Sequence, residues 1–168
     1  MTFRIAVVQP ICHPPGRDAA NIAEAERAIA RAAGEGAHFV CFPETYPGPW
    51  RMPAGKDKGK LWATWRTLIW ARAIENLAVV VTTQNLFNHS ERGLAMVASP
   101  EEILFESTIA GTAVVDVSLE RVRHLRATRD EVGSSETCAT KQGVLGPQWQ
   151  RPELYDRIYP RPLREAAE

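Results

Sequence analysis

The sequence has no net charge, no long apolar run and no paired-cysteine pattern, and each absence removes a class of function. Twenty Lys and Arg are cancelled by twenty Asp and Glu, so no overall field draws the chain to nucleic acid or to an anionic membrane. The longest apolar runs, such as Leu77–Val81, stop far short of the ~20 residues that cross a bilayer. Met1 to Arg4 leads straight into IAVV, without an apolar signal core or small-residue cleavage site, so a cytoplasmic location is expected. Cys12, Cys41 and Cys138 form no CxxC and cannot all pair, which suits reduced thiols. The four histidines (13, 38, 89 and 124) have no ligand spacing, so no metal is expected. The string GKDKGK (55–60) is no phosphate loop: its glycines stand one residue too close, and Leu61 occupies the magnesium-binding Ser/Thr position. No cofactor is implied.

What is present is the composition of one soluble globular domain over residues 1–168, 45% apolar and 24% charged. Residues 4–8 (RIAVV) read as a buried strand ended by Gln9-Pro10. A helix follows from about Asp18 to Ala33, with Ile22, Ala25, Ile29, Ala32 and Ala33 at helical spacing and Gly34 and Gly36 at its end. HFVCF (38–42) is a second strand, so a βαβ unit with two parallel strands is expected. A Pro/Gly-rich loop covers 43–59. The next helix, about 61–76, has Leu61, Trp65, Leu68, Ile69 and Ala73 as its expected inner face. Strands follow at 78–84, 93–98, 103–107 and 112–117, with Ser99–Glu102 as a turn, and then a helix over 119–127. Beyond Arg129 the pattern fades into a largely irregular tail. The fold class is α/β.

Five blocks, in order, resemble the nitrilase superfamily of carbon–nitrogen hydrolases. They are RIAVVQP (4–10), GAHFVCFPETYPGPW (36–50), ARAIENLAVVVTTQN (71–85), LAMVASPEEILFES (94–107) and WQRPELYDRIY (149–159). In the fourth block, Glu101-Glu102 stands where a glycine-containing turn is more usual. The resemblance implies a reduced form of the family's α-β-β-α sandwich. It also implies hydrolysis of an amide or nitrile by a glutamate base, a lysine and a thioester-forming cysteine. Glu44 matches the glutamate. The segments that carry the family's lysine and cysteine are absent, and the apparent join lies near Arg51-Met52.

Glu44 is therefore the candidate general base, at the carboxyl end of a strand expected to be buried and parallel, where open α/β sheets bind ligands. On its sequence alone it could equally cap a turn before Tyr46-Pro47. Cys41 alternates to the opposite sheet face and reads as a small buried hydrophobe. Cys12 is the alternative nucleophile, because the end of strand one should lie beside the end of strand two, but an activated thiolate needs a base or cation within reach. Cys138 is a bystander in the tail. Lys56, Lys58 and Lys60 read as a solvated loop. Trp62, Trp65 and Trp70 suit a core or interface rather than base stacking in a neutral chain. Arg72, Glu75 and Asn76 are expected to hold their helix against the sheet.

Three functions follow as expectations. The first is a shortened carbon–nitrogen hydrolase relative of little or no activity, whose substrate would be a small amide or nitrile. The second is a non-catalytic interaction protein that associates with a full-length relative or with itself, exposed sheet edges and apolar faces favouring a homo-oligomer. The third is a rewired thiol hydrolase that uses Cys12 with Glu44.

Overall fold

The computed structural model describes residues 2–48 and 62–127. Within them the elements run β1 (Thr2–Gln9), α1 (Asp18–Gly34), β2 (Phe39–Cys41), α2 (Trp62–Asn76), β3 (Val80–Thr82), β4 (Ala95–Ala98), β5 (Ile103–Ser107), β6 (Gly111–Ser118) and α3 (Leu119–Ala127). The expected order of elements is the observed one, and the architecture is mixed α/β. The join near residues 51 and 52, the Lys56–Lys60 loop, Leu61, Cys138 and the 149–159 block lie outside the described residues.

Two three-stranded sheets form, in the orders β2-β1-β6 and β3-β4-β5. β1 and β2 are parallel, with Ile5 opposite Phe39 and Val7 opposite Cys41, as the βαβ spacing predicts. β6 pairs antiparallel along the whole of β1. Side chains alternate across a strand, so Val7, Val115 and Val117 share one face of this sheet. That face meets Ala95 and Val97 of β4 in one buried cluster, and the two sheets therefore pack face to face. The other face of β4 presents Met96 and Ala98, which are buried against Ala73 of α2 with Trp62, Ile69 and Trp70 around them. With all four β4 residues buried, this strand is the centre of the core. β3 and β5 flank it antiparallel.

The β4–β5 turn explains its own departure from a glycine turn. The Ser99 hydroxyl accepts the Glu101 and Glu102 N–H groups at 3.3 and 3.1 Å, which organises the turn without left-handed backbone. Glu101 is then free to take both Nε and a terminal nitrogen of Arg121, at 2.8 and 2.7 Å, tying α3 to this hairpin.

Both long helices present a face rotated from the one their apolar spacing predicts, with Ala32 of α1 and Ile69 and Ala73 of α2 inward as expected and other positions not. In α1 the buried residues are Asn21, Ala28 and Ala32, whereas Ile22 and Ile29 are each 48% exposed. Small alanines let the helix approach the sheet closely, and the buried Asn21 amide bonds the chain after β1. These two contacts set the rotation. In α2 the inward stripe is Trp62, Ile69, Trp70 and Ala73, which recurs at helical spacing, while Trp65 and Leu68 face outward. This helix is apolar on most sides, so spacing alone did not select a face. Arg72, Glu75 and Asn76 bond within the helix: Arg72 to Glu75 at 2.6 Å and the Asn76 amide to the Arg72 carbonyl at 2.9 Å. Arg66 ties α2 to the sheet, its Nε donating to Glu106 on β5 at 2.6 Å. Among the described residues no helix is long and apolar enough to cross a membrane.

Candidate functional site

Because β1 and β2 are parallel, their carboxyl ends open on the same edge of the sheet, and the segment after β3 joins them. The chain after β1 pairs in parallel with the chain after β3 through Ile11 and Leu86. Leu86 N–H donates to the Pro10 carbonyl at 3.0 Å, and Cys12 N–H to the Leu86 carbonyl at 2.6 Å. The Thr83 hydroxyl donates to the Val8 carbonyl at 2.7 Å. These bonds stitch the two sheets together at one end. They place three loops side by side: residues 10–13, 42–48 and 83–87.

Glu44 stands in the middle loop, three residues past the end of β2 rather than on the strand. Its backbone carbonyl accepts the buried Asn85 amide at 3.0 Å, while its side chain is exposed. The expectation of a buried strand beneath it is corrected: β2 is an edge strand, and Phe39 is 56% exposed. Among the described residues no strand pairs on the outer side of β2, and the Phe3 ring stacks on Phe39 at 5.5 Å. Directly after Glu44, Thr45 adopts φ 68°, a left-handed conformation that a β-branched residue adopts only under constraint. The constraint is visible: Gly48 N–H closes onto the Thr45 carbonyl at 2.6 Å, and a Cβ on Gly48 would stand 2.8 Å from that oxygen. Tyr46 stacks on Phe42 and donates its hydroxyl to the Asn21 carbonyl at 3.0 Å. Burial pushes the Tyr46 phenol up to about 12, with Glu24 and Cys12 adding to it and Arg27 opposing.

Cys12 lies in the first loop and is 2% exposed. Its thiol can donate to the His13 or the Gly48 carbonyl, at 3.6 and 3.7 Å, and the Asn21 amide donates to the sulfur at 3.8 Å. Burial pushes this thiol up, the Asn21 bond lowers it in part, and Asp18 raises it further. A nucleophilic cysteine needs the opposite shift and a base or cation at hand. Among the described residues no hydrogen bond joins the Cys12 thiol to the Glu44 carboxylate. The two loops are linked by the Cys12 thiol on the Gly48 carbonyl, and through the 85–86 segment, where the Asn85 amide meets the Glu44 carbonyl and Leu86 pairs with the backbone of Pro10 and Cys12. Cys41 is half-buried, on the face of the sheet that Val7 shares, and burial raises its thiol as well.

Spacing did not single out Gln9, Asn21, Tyr46 or Asn85, although all four hold this end of the fold. Their common signal is a polar side chain inside or directly after an apolar run, which in a buried strand or helix face demands a partner. Gln9 is 1% exposed and donates its amide to the Ile109 carbonyl at 2.9 Å. Asn21 is fully buried and accepts the His13 N–H at 2.7 Å. No group of three or more metal-ligating side chains occurs among the described residues. No protein-family model, curated protein or solved structure matches the chain.

Proposed function

We propose that this chain is an internally shortened relative of the nitrilase-type carbon–nitrogen hydrolases, with little or no hydrolytic activity of its own. The observation that carries the reading is the FPETY loop, which holds Glu44 at the carboxyl end of a parallel strand beside the ends of β1 and β3. Two facing sheets, each with a helix on its outer side, suit a reduced α-β-β-α sandwich of that type. The strained Thr45 beside Glu44 supports a loop shaped for a site rather than for stability alone. The amide or nitrile chemistry needs three groups acting as a unit, and loss of members of such a unit removes nearly all of its effect. Glu44 is a base without a matched lysine or cysteine, and Cys12 is buried with its thiol pushed up, the opposite of the shift a nucleophile needs. Ammonia release from a panel of primary amides and nitriles should not exceed the uncatalysed rate. Release that disappears in Glu44→Gln would overturn this reading and establish a working hydrolase. Rapid iodoacetamide labelling of Cys12 would revive the thiol alternative.

One observation favours a second reading, a protein that works by self-association. The outer edge of β2 carries no described partner strand, and its Phe39 is 56% exposed beside Phe3. Such an edge is a template for strand addition. Light scattering should then report a dimer or larger species that Phe39→Lys disperses, and a strictly monomeric chain would rule this reading out.

A further inference from the structure

On the opposite side of the β1–β6 pair from the inter-sheet core, α1 does not cover the start of β6. A cleft of about 370 Å3 remains, bounded by Val8 and Thr112 on the strands, Glu24 and Arg31 on α1, and His13 and His89 on two separate loops. We propose that this cleft binds a small oxyanion, a carboxylate or a phosphate, through Arg31, His13, His89 and Thr112.

The fold has already used some of the polar groups in this lining and left others available. Glu24 is paired with Arg27 on the same helix, so its charge is offset. Arg31 meets Glu35 through Nε alone, at 3.0 Å; a guanidinium carries five N–H donors, so its two terminal nitrogens remain for a ligand. The His13 and His89 rings and the Thr112 hydroxyl make no hydrogen bond among the described residues. Polar side chains gathered from four segments in one recess, with most of their donors unspent, match the few convergent polar groups of a ligand site. All can donate, and Arg31 recognises planar or tetrahedral oxyanions through parallel N–H bonds. Among the described lining residues Glu24 is the one acidic group, and it tempers the affinity. This inference does not depend on the reading of Glu44.

The test follows the ring resonances of all four histidines by NMR at pH 6.0 and constant ionic strength, during separate titrations with sodium phosphate and sodium acetate. Saturable shifts confined to His13 and His89 are expected, with His38 and His124 as internal controls elsewhere on the chain. Saturation by phosphate alone assigns a phosphate site, and saturation by acetate alone a carboxylate site. Arg31→Gln, at an exposed helical position, should weaken binding at least fivefold, and Glu24→Gln should tighten it. Shifts that never saturate, that appear equally at all four histidines, or that are unchanged by Arg31→Gln overturn the proposal.

Discussion

Gly93 is the residue whose replacement tests the stitched end of the fold most directly. A Cβ at Gly93 would stand 2.9 Å from the Gln9 Oε1, 2.9 Å from the Leu86 Cδ2 and 3.0 Å from the Gln84 Oε1. None of these neighbours can give way cheaply. Gln9 is held by its amide bond to the Ile109 carbonyl, Gln84 accepts the Leu94 N–H at 3.1 Å, and Leu86 is fully buried. Forcing an extra methyl into such packing costs about 1–3 kcal/mol. The smaller entropy of the unfolded alanine chain returns about 0.4–1 kcal/mol where the backbone conformation is compatible. Gly93→Ala should therefore destabilise the protein by about 1–2 kcal/mol, a five- to thirtyfold shift in the folded-to-unfolded ratio. Urea unfolding followed by circular dichroism reads this as a lower midpoint at unchanged slope. Gly111→Ala is the control, because an added Cβ there meets nothing within 4 Å. Equal midpoints for the two variants would refute the argument that this contact requires glycine.

Three further outcomes are expected. Met96→Ala opens a cavity at the fully buried centre of β4 and should cost about 2–5 kcal/mol by the same denaturation assay. Tyr46→Phe removes the bond to the Asn21 carbonyl and should cost about 1 kcal/mol at pH 7. The folded phenol keeps its proton up to about 12, whereas an unfolded tyrosine loses it near ~10. That stabilisation is complete below the unfolded value and is lost as pH rises from about 10 through 12. Wild-type stability should accordingly fall more steeply than that of Tyr46→Phe in this window, as thermal melts at stepped pH will report. Thr45→Gly relieves the left-handed strain, worth about 1–3 kcal/mol, against the entropic cost of glycine, about 0.5–1 kcal/mol. A midpoint that rises, with the backbone spectrum of the fold retained, is the expected result, and a fall would show that the Thr45 conformation is not strained.

The sequence by itself determined the order of elements, the parallel pairing of β1 with β2, the β4–β5 turn and the position of Glu44 after a strand. These are local properties. Runs of β-branched residues make strands, helical spacing and flanking glycines bound a helix, and a short crossover forces parallel strands. Gly36 shows this at α1, taking the left-handed conformation (φ 75°) just past the helix end. Tertiary structure decided the rest. Spacing marked Ile22, Ile29 and Ala32 for burial; Ala32 is buried, yet the isoleucines stay half exposed, because α1 turns the buried Asn21 amide and the small Ala28 inward instead. The alternation of a strand set Cys41 against Glu44, but the strand ends at Cys41 and Glu44 belongs to a turn. Cys12 was legible as a neighbour of the Glu44 loop, and only its packing against Asn21, His13 and Gly48 showed a buried thiol that burial pushes up. The cleft beside Thr112 joins side chains as far apart as His13 and His89. Its existence follows from where α1 stops covering the sheet, which is a matter of packing rather than of any single stretch of sequence.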